Sequence, residues 1–210
     1  MKTELSIIIP ADFQEQNEYF KLLKQKPGVE AIFVGLTEAP TRAERLNLGF
    51  LRSSGSMILF HHPRSRLPDT AIAGLARRLD EKFWGGFTHA FDVQHPFLKF
   101  TSFYSNFFRG RIRGIIYLDH CIFFHRSLWA GPLPPVEIFE DTILSDFLRR
   151  HSLPQILPEL STTSAIRFVK NGIYFQSLMN QLLKLGYYLK IPHRRLNLIY
   201  EKGLDLNGKK

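Results

Sequence analysis

Cysteine and long hydrophobic runs are what this chain has least of. Its 210 residues include a single cysteine, Cys121. One thiol excludes an internal disulfide and suits a reducing compartment, so a cytoplasmic location is expected. The apolar stretch between Glu4 and Pro10 spans only five residues. That is too short for a signal-peptide core or a bilayer span, and neither a secretory leader nor a transmembrane segment is expected. Internal repeats and low-complexity linkers are also missing. What is present is a 44% hydrophobic content, enough for one substantial core, and a net charge of +9. The length fits a single domain. The charge implies an anionic partner: a diphosphate, an acidic lipid surface or nucleic acid. Nucleic acid is disfavoured, because the basic residues are dispersed over several segments and no nucleic-acid motif occurs.

Strand and helix signals alternate along the chain, as in a largely parallel sheet covered on both faces. Strands are expected at Leu5 to Pro10, Ala31 to Gly35, Ser56 to Phe60, Phe87 to Asp92 and Cys121 to His125. Helical spacing covers Tyr19 to Lys26, and Thr41 with Glu44 forms a capping box that opens a helix running to about Ser54. Asp69 is expected to cap the helix carrying Ile72, Leu75, Ala76 and Leu79, and Gly85-Gly86 to turn the chain into the next strand. Phe100, Phe103, Tyr104, Phe107 and Phe108 fall on one helical face, read as core packing. Arg109-Gly-Arg-Ile-Arg113 reads as an exposed, flexible basic loop, either solvated or in contact with phosphate or acidic lipid. Arg167 to Leu189 is one amphipathic helix, with packing on the domain favoured over a membrane surface. A short helix over 192–200 and a frayed tail to Lys210 complete the chain.

The densest chemical signal is Glu137-Ile-Phe-Glu140-Asp141, which runs into a helix whose apolar face is Ile143, Leu144, Phe147 and Leu148. A carboxylate at such a helix mouth can be aimed into a cleft as a general base. Acids there also satisfy orphan N–H groups and complement the helix dipole, and spacing does not choose between these roles.

The surrounding text resembles the family-2 glycosyltransferases with a GT-A fold, in their small bacterial subgroup. The pieces occur in order: Leu5-Ser-Ile-Ile-Ile-Pro10, Arg42-Ala-Glu-Arg-Leu-Asn47-Leu-Gly49, Met57-Ile-Leu-Phe-His61 with Arg66-Leu-Pro68, Asp119-His120, Phe139-Glu140-Asp141, and Thr162-Thr163-Ser164-Ala165. The resemblance implies an α/β, GT-A-like (Rossmann-like) domain over residues 1–166, with a mostly parallel mixed sheet flanked by helices. A helical C-terminal extension over 167–210 is expected to pack on that domain. The implied reaction is hexosyl transfer from a nucleotide-diphosphate sugar to an acceptor hydroxyl, with inversion. Asp141 would be the base with Glu140 beside it, Arg42 and Asn47 would contact the donor, and Asp119 and His120 would lie on the acceptor side.

Departures from the pattern cluster on the donor side. His61-His62-Pro63-Arg64-Ser65 replaces the usual metal-binding Asp-x-Asp, Ala11-Asp12-Phe13-Gln14 stands where Asn-Glu is usual, and Val34 to Pro40 runs almost directly into the Thr41 helix. Magnesium or manganese is therefore disfavoured as a cofactor. His61 is the weak remaining metal candidate, since adjacent histidines in a strand point to opposite faces. Arg64 and Arg66 could offer fixed positive charge to a diphosphate instead. The alternative is an inactive relative that binds or scaffolds. The chain would act in the cytoplasm, with peripheral attachment at the inner membrane face as an option.

Overall fold

The computed structural model describes residues 5–201. Its centre is a seven-stranded mixed sheet in the order β2-β1-β3-β6-β5-β7-β4. The strands are β1 (Leu5–Ile9), β2 (Val29–Phe33), β3 (Met57–Phe60), β4 (Ser65–Arg66), β5 (Trp84–Phe91), β6 (Ile122–His125) and β7 (Gln155–Thr163). The long ladders, β1 with β2 and β3 and β5 with β7, are parallel; β6 and β4 pair antiparallel to their neighbours.

Both faces of the sheet are covered because the buried strands are apolar on both sides. In β1 the side chains alternate: Leu5, Ile7 and Ile9 join one core cluster, and Ile8 the other. The first cluster packs against α1 (Glu18–Gln25) and α3 (Asp69–Ala76), the second against α2 (Arg42–Arg52) and α5 (Glu140–Leu148). The expected capping box at the start of α2 is present, with Thr41 and Glu44 bonding reciprocally.

Several expectations change. Gly85-Gly86 does not turn the chain but lies inside β5, because a Cβ at Gly85 would stand 1.9 Å from the Gln155 carbonyl oxygen of β7. The neighbouring strand β7, the longest in the sheet, was not foreseen. Its Pro158 breaks the strand pattern, and the register shifts between Phe87 and Thr88, so the proline sits in an irregularity where no ladder bond is needed. Asp69 does not cap α3: Pro68 is the N-cap residue and makes no side-chain bond, while Asp69 pairs with Lys26 at 2.8 Å.

The basic loop is not a loop. Helix α4 (Pro96–Tyr104) continues into π-helical turns over Ser105–Ile112, which bury Arg109 and leave Arg111 and Arg113 exposed. The aromatic stripe along these turns is exposed rather than in the core, with Phe100 at 60% and Phe103 at 54%. The C-terminal segment is split at Gly172, whose φ of 86° ends α6 (Ile166–Asn171) before α7 (Ile173–Tyr188) begins. Helix α8 (His193–Glu201) follows, and the tail to Lys210 lies outside the described residues. These helices dock through a small cluster of Ile138, Phe139, Leu183 and Leu196. Among the described residues no helix is long and apolar enough to cross a membrane.

Candidate functional site

A cavity of about 400 Å³ opens where the chain leaves the carboxyl ends of β3, β5 and β7. Small-molecule sites commonly have volumes of roughly 300–1,000 Å³, and open α/β sheets place them at this edge. His62 and Arg64 follow β3, His89 and Phe91 end β5, and Thr163 and Ser164 end β7. Arg42 enters from the start of α2 and Asp141 from the start of α5. Helices α4 and α7 form the opposite walls, with Tyr104, Ser105 and Arg109 on one side and Asn180 and Lys184 on the other.

Asp141 is held without losing access to the cavity. Its Oδ2 accepts the backbone N–H of Leu118 at 3.1 Å and its Oδ1 that of Thr142 at 2.8 Å. Burial and the neighbouring Glu140 charge push its carboxyl up to about 6, against the lowering pull of Arg42. Glu140 is fully buried behind it and does not line the cavity; it pairs with Arg42 Nε. Glu140 thus fixes Arg42 from below, whereas Asp141 faces the space. Phe139 precedes them in the left-handed conformation at φ 68° and packs on Tyr187 of α7 at 4.8 Å. The acidic pair is therefore seated against the C-terminal helices.

Asp119 also lines the cavity, next to Leu118, whose N–H Asp141 binds. Its backbone oxygen accepts hydroxyl bonds from Ser161 at 2.6 Å and Thr163 at 3.2 Å, which gives the Thr162-Thr163-Ser164 segment its role in fixing that turn. Burial would raise the Asp119 carboxyl, but His89, His120 and Arg109 outweigh it and hold it well below the usual range. Both histidines are themselves pushed toward the neutral form by burial, so the lasting countercharge is Arg109, 3.8 Å away. His120 is fully buried and outside the cavity lining. Its Nδ1 donates to the Phe87 carbonyl at 2.9 Å, which leaves Nε2 to accept from Arg109 at 3.0 Å. Among the two acceptor-side candidates, Asp119 reaches the cavity and His120 orients Arg109 behind it.

The donor-side candidates separate in the same way. Arg42 and Arg64 line the cavity. Asn47 does not: its side chain clamps Leu133, donating to the carbonyl and accepting the N–H, both at 2.8 Å. Arg66 is exposed on β4 and lies over the Tyr19 ring at 5.4 Å. His61 is fully buried, with Nε2 bonded to the Tyr19 hydroxyl at 2.8 Å, and points away from the cavity. It is no metal candidate.

Sequence reasoning missed Arg167, which α6 delivers to the cavity wall from a segment read as amphipathic packing. Arg167 is 6% exposed; its Nη1 donates to the Tyr200 carbonyl at 2.8 Å, and the guanidinium stacks on the Tyr200 ring at 3.9 Å. Its Nε and Nη2, the paired N–H groups of one guanidinium edge, are buried without a partner among the described residues, as is Nη1 of Arg64. Burial and the fields of Arg167 and Arg42 push the Arg64 guanidinium down, against opposing Tyr200 and Glu201. Arginines crowded along one cavity wall suit an anion with several oxygens, which a small side-chain movement would bring to the buried N–H groups. The same place does not suit a cation. No group of three His, Cys, Asp or Glu side chains among the described residues could hold a metal ion.

No family model matches the chain, and no curated protein matches it in sequence. Solved structures do match in fold. The mannosyltransferase PcManGT from Pyrobaculum calidifontis, in complex with GDP-Man and Mn²⁺, is similar with a TM-score of 0.51 at 14% identity, over 77% of this chain and 57% of that one. S. aureus TarS 1-349 in complex with UDP-GlcNAc is similar with a TM-score of 0.50 at 10% identity, over 77% of this chain and 58% of that one. The fold is thus the α/β, GT-A-like architecture of glycosyltransferases, and the chain spans somewhat over half the length of these neighbours.

Proposed function

We propose that this protein transfers a sugar from a nucleotide-diphosphate donor to an acceptor hydroxyl, with inversion, and that it does so without a metal ion. The observation that carries this reading is one cavity lined both by a carboxyl of raised pKa, Asp141, and by Arg64 and Arg167, whose guanidiniums keep N–H groups that no described residue accepts. In the proposed step the acceptor oxygen attacks the anomeric carbon while the bond from that carbon to the diphosphate oxygen breaks. The acceptor proton passes to Asp141 Oδ, and the diphosphate leaves with its charge held by Arg64, Arg167 and Arg42. A single displacement inverts the anomeric centre. Asp119, kept ionised by Arg109, lies on the acceptor side.

The nucleotide-sugar complexes of the two structural neighbours support a nucleotide-sugar as the donor class here. A hexose is the transferred group in this reading. The mannosyltransferase neighbour was solved with Mn²⁺, whereas in this reading arginines neutralise the diphosphate. Residues 167–201 belong to the same functional unit in this reading, because Arg167, Lys184 and Tyr200 wall the cavity together with the α/β domain.

The test is release of nucleoside diphosphate from a panel of nucleotide-sugars in the presence of candidate hydroxyl acceptors, with wild type and Asp141→Asn side by side. Release that the variant loses supports the transferase. Binding of nucleotide-sugar without release under every acceptor condition favours the inactive, binding reading, which the replaced metal ligands at Pro63 and Arg64 make specific.

A further inference from the structure

The cavity is rimmed by an apolar surface that the fold leaves uncovered. On α4 and its π-helical continuation, Phe103, Phe107, Phe108 and Ile112 are 41–58% exposed. On α7, Phe175, Leu178, Leu182, Leu185 and the following Leu189 recur at helical spacing and are 50–67% exposed. The two elements flank the cavity and are bridged by Phe97 against Tyr174 at 5.1 Å and by Arg113 donating to the Tyr188 hydroxyl. Phe100 and Gln181, one from each element, are exposed and also line the cavity, so the mouth lies between them. Large apolar side chains gathered and exposed in this number around a cavity mouth mark an interaction surface.

Charge identifies the occupant. Residues 93–118 and 160–200, which supply both walls, contain ten of the chain's 28 lysines and arginines and none of its 19 acidic residues. The remainder, with 18 basic against 19 acidic residues, is close to neutral, so the whole positive charge of the protein comes from these two segments. Lys99, Arg111, Arg113, Lys190, Arg194 and Arg195 are exposed among them. Aromatic and aliphatic side chains interleaved with lysine and arginine, in segments that contain no carboxylate, match the interface of an anionic bilayer, where rings and methyls enter the acyl boundary and cations meet headgroups. The same composition opposes a symmetric dimer through this face, since an isologous contact would set the like-charged patch against itself.

We propose that the face formed by α4, the π-helical turns and α7 docks the protein on an anionic lipid surface, with the cavity mouth facing the bilayer. The docking does not depend on the transferase reading; if that reading holds, the acceptor hydroxyl belongs to a bilayer-borne amphiphile.

The experiment is co-sedimentation of the full chain with vesicles of phosphatidylglycerol and phosphatidylcholine, against vesicles of phosphatidylcholine alone, over a salt series and at a protein concentration where its oligomeric state is measured in parallel. Phe103→Ser/Phe107→Ser and Arg111→Gln/Lys190→Gln change exposed residues outside the cavity, so their folding can be checked by circular dichroism. The expected result is binding to anionic vesicles at low salt, weakened at least tenfold by either double variant. Salt should reverse most of the binding that the arginine and lysine contribute. Equal recovery on neutral and anionic vesicles would overturn the proposal. So would a dimer that the Phe103→Ser/Phe107→Ser variant dissociates, in a protein that binds neither vesicle.

Discussion

At Asp141 the chemistry and the pH dependence are one question. A base must be ionised, and burial together with Glu140 pushes this carboxyl up to about 6. Turnover should therefore rise as pH increases through about 6 and level off above it, since below that value the proton already occupies the acceptor site. Asp141→Asn should lower turnover at pH 8 by about a hundredfold or more and leave nucleotide-sugar affinity nearly unchanged, as single-turnover kinetics and a binding titration would report. Glu140 predicts a different outcome. It is buried against Arg42, so Glu140→Ala should cost about 3 kcal/mol in denaturant unfolding through the uncompensated charge. Legibility at this scale followed local geometry. Arg64, two residues upstream of Arg66, faces the cavity while Arg66 faces solvent, and sequence order alone could not choose between them. Asn47 lies in a motif that reads as donor contact, yet its amide is consumed by Leu133, a partner 86 residues away.

Elements were legible where pattern and environment agree. The β1 run is apolar without alternation because both sheet faces are buried, and the Thr41–Glu44 box marks the start of α2 in text and structure alike. The aromatic stripe from Phe100 to Phe108 has the periodicity of a helical face, but periodicity names the face and not what covers it; here the face looks outward. Strand β7 escaped notice because Pro158 interrupts it, and Gly85-Gly86 read as a turn because nothing local reveals the Gln155 carbonyl that excludes a side chain. That close approach is testable. Gly85→Ala would place a Cβ 1.9 Å from backbone that cannot step aside, and the expected loss is at least about 1–3 kcal/mol by urea or thermal unfolding. Arg167 belongs to this scale as well, because only the break at Gly172 and the return of α8 bring its guanidinium over the site.

Across the whole molecule, the α/β architecture was readable from the order of short segments, while the proposed anion site was readable only at Arg64, because its second arginine comes from residue 167. The convergence of the two arginines makes the central claim a statement about how diphosphate is bound. The most direct measurement is calorimetric titration of a nucleotide-sugar panel into the full chain in excess chelator, repeated with manganese. The account predicts binding of the same affinity in both, weakened by about 1–3 kcal/mol in Arg64→Ala and in Arg167→Ala through loss of charge-assisted hydrogen bonds. Binding that appears only with manganese, or that neither arginine variant alters, would contradict it.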